Sequence, residues 1–297
     1  MKAPPFEYQR ATSLADVFRL WTEAGPDARL LAGGQSLLAT LAFRLSEPTA
    51  LIDITRVAEL KGVADTGPLI RVGALTTHAE LGASPLIATH VPLLHEAVPL
   101  IAHPAIRNRG TIGGSLGFAD PASELPAAAV ALEARILAVS AKGERRIPAG
   151  QFFRGLYETA LEPGELIAAV EFEKAKPTER STIVEIARRS GDYGMAGLAL
   201  RLEIDGGKVA RPRIVGFALG DAPVLAERAM AKLAGAALTA ETIAQAAAAL
   251  DGDLDPAPDM YGTPAMKKRW ARVLLERALK KIAGISDSSG TKVGAAA

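Results

Sequence analysis

The chain has 297 residues, long for one average domain and suited to two, and 49% of them are hydrophobic, enough for substantial cores. A formal charge of +1 gives no electrostatic reason to expect a nucleic-acid partner, and the absence of cysteine excludes disulfides, thiolate nucleophiles and cysteine-ligated iron–sulfur clusters. No apolar run approaches the roughly 20 residues of a membrane span, and the opening MKAPPFEYQR lacks the apolar centre of a signal peptide, so a cytoplasmic protein is expected.

Ser13 stands as N-cap before Leu14, Val17, Phe18 and Trp21, whose spacing predicts a helix ended by Gly25-Pro26. Strands are predicted at 28–32, at 50–54 after a loop carrying Pro48, and at 69–77. A helix over 93–102 stops before Pro104, and another spans about 125–133. Residues 134–148 read as a hairpin turning at Lys142-Gly143, and 165–172 as a further strand. The polar segment EKAKPTER (173–180) marks a boundary between domains at 1–176 and 177–284, leaving 285–297 as a mobile or docking tail.

Beyond the boundary, strands are predicted at 182–189, 196–204 and 208–219, the last two hairpinned at Gly206-Gly207. Helices at 223–233, 241–250 and 264–282 follow. Strands and helices mix without strict alternation, which indicates an α+β fold. The last helix turns Trp270, Val273, Leu274 and Ile282 to one side and carries seven basic residues: Lys267, Lys268, Arg269, Arg272, Arg277, Lys280 and Lys281. A solvated face over the domain core or a partner contact is favoured there over a membrane surface. The four histidines, His78, His90, His95 and His103, lack the pairing of a metal-binding helix and read as surface or capping residues, so no metal ligand is nominated.

Two stretches repeat one pattern. LLAGGQSLLAT (30–40) and NRGTIGGSLGFADP (108–121) each set a Gly-Gly pair where a strand or loop gives way to a possible helix. Glycine permits positive φ and close approach of backbone to a ligand, and consecutive N–H groups at such a turn form an anion-binding concavity. Ser36, Thr111 and Ser115 add hydroxyls and Gln35 an amide, while no Lys or Arg lies inside either loop, so backbone N–H groups are expected to carry most of the charge stabilisation. Taken singly, either pair is also simply a tight turn. Together they point to one ligand with two phosphates. Neither matches the GxGxxG or P-loop fingerprint, which leaves a nucleotide pair joined by pyrophosphate, such as FAD.

LLAGGQSLLATLAFRLSEPTALIDI and HPAIRNRGTIGGSLGFADPASELPAAAVALEA together resemble the FAD-binding medium subunit of molybdenum hydroxylases, the flavoprotein of the carbon monoxide dehydrogenase and xanthine dehydrogenase family. RRSGDYGMAG (188–197) is similar to that family's third signature and TPAMKKRWARVLLERAL (263–279) to its closing helix, so the likeness covers essentially the whole chain. It implies a two-part FAD-binding domain of the vanillyl-alcohol-oxidase (PCMH) type, followed by a C-terminal three-stranded antiparallel sheet with helices. By the same resemblance Leu31, Ala32, Gly33, Gly34, Gln35, Ser36, Leu37 and Leu38 wrap the pyrophosphate, and Thr111, Ile112, Gly113, Gly114 and Ser115 complete the cradle. Glu124 matches a carboxylate that accepts from a ribose or adenine donor, Ile101 a position packed on the flavin, and Tyr193 the aromatic covering its electron-accepting edge. Asp120 reads as an N-cap or a ligand contact, and Arg107 and Arg109 either steer phosphates or fix the turn.

The resemblance implies an FAD-binding electron-transfer subunit of a molybdenum hydroxylase, taking electrons from [2Fe–2S] clusters and passing them to NAD, a quinone, oxygen or another acceptor. A large molybdenum–pterin subunit and a small [2Fe–2S] subunit would be its partners, in a dimer of heterotrimers. No catalytic acid or base is nominated in this chain. Two rivals stay open: a self-sufficient flavin oxidase of the vanillyl-alcohol-oxidase type, and a scaffold without cofactor.

Overall fold

The computed structural model describes residues 2–285, so all but Ile285 of the tail predicted at 285–297 lies outside the described residues. The first lobe contains β1 (Glu7–Arg10), α1 (Leu14–Ala24), β2 (Arg29–Leu31), α2 (Leu37–Ala42) and β3 (Ala50–Asp53). Its sheet is parallel, in the order β1-β3-β2. Ser13 caps α1 by accepting from the Asp16 N–H at 3.2 Å. Val17 and Leu20 are the residues of α1 buried among those of β3. β1 escapes the sequence reading because EYQR is polar and largely exposed; pairing with β3 makes it a strand.

The second lobe begins with β4 (Val63–Asp65) and β5 (Leu69–Gly73), followed by the short helices α3 (His78–Ala83), α4 (Pro85–His90), α5 (Pro92–Ala97), α6 (Pro104–Arg107), α7 (Ile112–Phe118) and α8 (Glu124–Ala131). Then come β6 (Arg135–Ser140), β7 (Gly143–Pro148), the small ribbon β8 (Phe153–Gly155) and β9 (Glu158–Thr159), and β10 (Leu166–Glu173). The order β4-β5-β10-β6-β7 forms an antiparallel sheet with β10 at its centre. LIAAVEF of β10 is buried throughout because one face meets the first lobe and the other the central core.

Two boundaries move for identifiable reasons. The strand predicted to Thr77 ends at Gly73, and Thr77 instead caps α3 in a capping box with Glu80. The helix predicted over 93–102 ends at Ala97, and a single 3₁₀ turn carries the chain through Pro99 to Ala102, whose φ is +42°.

The C-terminal part contains β11 (Glu179–Ile186), β12 (Ala196–Asp205), β13 (Lys208–Phe217), β14 (Val224–Leu225), α9 (Glu227–Leu233), α10 (Ala240–Ala249) and α11 (Pro264–Ala283). The sheet has four antiparallel strands, not three, because Val224–Leu225, expected within a helix, pairs with β13 before α9 begins. Along β12 the leucines 198, 200 and 202 face the core shared with α9, α10 and α11. The intervening Ala199 belongs to the core on the other face, with the α8 residues, and Gly197 leaves room for the Phe217 ring, 2.0 Å from where a Cβ would stand. All eight residues of α8 are buried, as its apolar run Leu125–Ala131 requires, and Glu124 at its start is buried with them. Arg201 anchors this layer, pairing with Glu179 at 2.7 Å and with Glu133 beyond α8 at 3.0 Å.

On α11 the buried face is Ala271, Leu274, Leu275, Ala278 and Leu279, while Val273 is exposed. Lys267 is buried rather than solvated, its Nζ 2.7 Å from Asp259. No helix among the described residues is long and apolar enough to cross a membrane.

Candidate functional site

The two glycine loops face one cleft of about 890 Å³, which also takes residues from α8, the β10 approach and the segment between β11 and β12. The first loop leaves the C-terminal end of β2 and turns through Gly34, whose φ of +75° is glycine's conformation. The N–H groups of Gly33, Gly34, Gln35, Ser36 and Leu37 find no acceptor among the described residues, so five consecutive donors are free. Gln35 is otherwise engaged: its Nε2 donates to the Gly33 carbonyl at 3.0 Å and stiffens the turn.

The second loop is built differently. The Ile112 N–H donates to Thr76 O at 3.1 Å, Gly113 to Ala74 O at 2.8 Å, and Ser115 to Thr111 O at 2.9 Å. The Gly114 N–H donates to Thr111 Oγ1 at 3.1 Å, which makes Thr111 the side-chain cap of α7. The expectation that both loops offer a row of backbone donors is therefore corrected: the first loop does, while in the second only the Thr111 N–H finds no acceptor among the described residues. The second loop otherwise contributes close backbone approach and the Ser115 hydroxyl, which has no partner among the described residues. Gly33 sets the spacing between the two, because a Cβ there would stand 2.1 Å from the Arg109 carbonyl oxygen. Gly113 plays the same part against β5's exit, where a Cβ would meet the Ala74 Cβ at 2.5 Å.

Of the residues singled out from sequence, Ala32 to Leu37, Thr111, Gly113, Gly114, Ser115, Ile101, Glu124 and Tyr193 all line the cleft. Leu31, Leu38 and Ile112 do not. Leu31 and Leu38 sit behind Gly34, within 3.3 Å of where its Cβ would be, and brace the turn. Ile112 is buried in the central core and pins α7.

Ile101 and Ala102 form one wall, held by Arg107, whose guanidinium donates to their carbonyls at 2.9 and 2.7 Å. Arg107 thus fixes the turn. The β11–β12 segment reaches this wall through Gly191, where a Cβ would lie 2.9 Å from Ala102 O. That contact carries Tyr193 to the cleft mouth, where it is exposed. Asp120 is not the N-cap of α8; it accepts from the Ala122 N–H at 2.9 Å in the preceding turn, and Ser123 holds the cap position.

The cleft is lined by Arg29, Arg188 and Arg189 as well as by acids, and acids gather around its α8 end. Burial, with Glu185 and Asp120 nearby, pushes the Glu124 carboxyl up to about 8. Burial raises Glu185 to about 7 and Asp120 in the same direction. His78, expected at the surface or as a cap, is instead 5% exposed beneath the second loop, its ring against the Thr111 backbone and neither ring nitrogen in a well-formed hydrogen bond. Desolvation lowers its pKa to about 4, so the ring is neutral.

Sequence reasoning missed Trp21, Arg29 and Glu165 at one end of the cleft, and Tyr261 at its mouth. None carries a local signal, since each reaches the cleft from a separate element. Among the described residues no group of three metal-ligating side chains gathers. What the cleft can do is bind an elongated anion, with free N–H donors at its centre and apolar and phenolic walls beyond them.

Comparison with known proteins covers both parts of the chain. Residues 4–173 match the family model described as the FAD binding domain in molybdopterin dehydrogenase, and 181–282 that of the CO dehydrogenase flavoprotein C-terminal domain. The alpha subunit of the 6-hydroxypseudooxynicotine dehydrogenase complex of Paenarthrobacter nicotinovorans is 40% identical over 95% of each chain. The carbon monoxide dehydrogenase structure from Hydrogenophaga pseudoflava superposes with a TM-score of 0.92 at 37% identity, covering 94% of this chain and 98% of that one. Quinoline 2-oxidoreductase from Pseudomonas putida 86 does so with 0.90 at 36%, covering 96% and 99%.

Proposed function

Because this chain belongs to the FAD-binding medium subunits of molybdenum hydroxylases, the carbon monoxide dehydrogenase and xanthine dehydrogenase family, we propose that it carries electrons from partner [2Fe–2S] clusters to an external acceptor through one bound FAD. It is an oxidoreductase subunit of a multi-subunit complex. Under our reading that complex is a dimer of heterotrimers with a large molybdenum–pterin subunit and a small [2Fe–2S] subunit. Residues 1–176 form the FAD-binding domain and 177–284 the C-terminal domain that closes over one end of it.

The observation that carries the reading is the row of five free N–H groups from Gly33 to Leu37. Donors left unpaired in a fold that satisfies their neighbours await an anion. Ala32 to Leu37 would hold the pyrophosphate, with the Ser36 and Ser115 hydroxyls beside it and Leu31 and Leu38 bracing the turn. Thr111, Gly113 and Gly114 would supply the facing backbone, Ile112 its anchor. Ile101 and Tyr193 would flank the ring system, and Glu124 would meet a polar edge. A bound FAD supplies the capacity to accept electrons singly and release them in pairs. The chain's part is to bind it, orient it and limit solvent at its mouth.

Relatives are named for substrates as different as carbon monoxide, nicotine, caffeine and glyceraldehyde. Substrate choice accordingly belongs to the partner that holds molybdenum. The purified chain should show a flavin spectrum with about one FAD and no iron or molybdenum. Its flavin should be bleached by an oxidisable substrate only when both partner subunits are present. A chain that takes up no FAD, or one whose flavin is reduced by substrate without partners, would overturn the proposal.

A further inference from the structure

Among the described residues, Glu124 is the one acid that faces the cleft while lying more than nine-tenths buried. Apart from its own backbone N–H, no group among the described residues donates to its carboxyl. A buried carboxylate without a cation or donor is strongly disfavoured, and the charges acting on this one are negative: Glu185 from β11 and Asp120 from the turn before α8. Tyr193, from the β11–β12 segment, faces the same cluster. The other neighbours of α8 bring no relief. α7 holds no ionisable residue, Glu96 of α5 accepts from Thr182, and Arg201 and Arg213 bind Glu133 and the Val130 carbonyl at the far end of the helix.

Resting on the assignment of the cleft to FAD, we propose that Glu124 meets the flavin nucleotide as a neutral carboxylic acid and donates a hydrogen bond to an acceptor atom of it, rather than accepting one as a carboxylate. The local chemistry favours this direction. The acid form needs no counter-charge and carries an O–H that no group among the described residues takes up, on a side chain that lines the cleft. The carboxylate form would add a third negative charge beside Asp120 and Glu185. Binding is then linked to the proton on Glu124. With a pKa of about 8, the acid is the main form at pH 7 and a small fraction at pH 9.

The test is titration of the flavin-free full chain with FAD, read by flavin fluorescence from pH 6 to 9, in wild type, Glu124→Gln, Glu124→Ala and Glu185→Gln. The wild-type dissociation constant should be flat to pH 7 and about tenfold higher at pH 9. Glu124→Ala should bind more weakly at pH 7. Glu124→Gln, which keeps an N–H donor, should restore binding there and be flat to pH 9. Glu185→Gln should move the wild-type rise to lower pH, because removing that neighbour eases ionisation of Glu124. A wild-type constant flat to pH 9, with Glu124→Gln as weak as Glu124→Ala, means a carboxylate acceptor and overturns the inference alone. Absence of FAD binding by the wild type at every pH overturns the assignment of the cleft as well.

Discussion

Replacing Gly33 with alanine tests how the cradle is assembled. The added Cβ would lie 2.1 Å from the Arg109 carbonyl oxygen, 2.8 Å from its carbon and 2.9 Å from the Gly110 Cα. All three are backbone atoms, so no side chain can swing aside. Gly33 does not adopt positive φ, so the cost is contact and not backbone strain. Ordinary contact begins at 3.4 Å, and the loops must part by roughly 1 Å to reach it. Overpacking of this kind costs about 1–3 kcal/mol, which lowers the melting temperature by roughly 3–10 °C in a protein of this size. The larger effect falls on the ligand. Each hydrogen bond to a charged group is worth about 1.5–3 kcal/mol, and misaligning two of the five donors weakens FAD about a hundredfold or more. The assay is flavin content after desalting, with a thermal melt of the flavin-free chain. Gly150→Ala serves as control, since a Cβ there meets nothing within 4 Å. A Gly33→Ala chain with one tightly bound FAD and wild-type melting would refute the loop-to-loop packing argument.

Gly114→Ala should be gentler on the fold and still harm binding: its methyl meets Thr111 Oγ1 at 2.9 Å and otherwise only the gap towards Ala32 at 4.0 Å. Stability should change by less than about 1 kcal/mol while FAD affinity drops, and unchanged affinity in a fluorescence titration would count against the cradle. His78 is neutral when folded and protonates in the unfolded chain below 6.5, so the unfolded state binds the extra proton and stability falls from pH 6.5 towards 4, by at most about 3 kcal/mol. His78→Asn should remove that part of the acid loss; parallel denaturant curves for both proteins at pH 4.5 and 6.5 would contradict it. Tyr193→Ala should retain FAD, because the ring adds only about 0.5–1.5 kcal/mol beyond area, yet alter reoxidation of the reduced flavin by oxygen or NAD. Identical stopped-flow rates and spectra would place Tyr193 away from the flavin.

Much of this protein is legible in its residues one segment at a time. The Ser13 cap and the period of Leu14, Val17 and Trp21 specify α1, because both signals are local. Gly206-Gly207 specifies the β12–β13 hairpin in the same way, and the composition of ELPAAAVA already demands burial on every side. The two Gly-Gly motifs identify the family and the region of the site. Other features exist only through distant pairing. The polar EYQR becomes β1 because β3 accepts its ladder, and Val224–Leu225 become a strand because β13 offers an edge. Which glycine loop offers its N–H groups depends on whether Thr76 and Ala74, some forty residues earlier in sequence, present carbonyls to it. His78 is drawn under the second loop by the bridge between Thr77 and Thr111. The charge state of Glu124 depends first on its burial by the folded chain and then on Glu185, which β11 brings near it. Local patterns decide elements because their energies are local; donor vacancy and proton affinity depend on what the rest of the chain brings near.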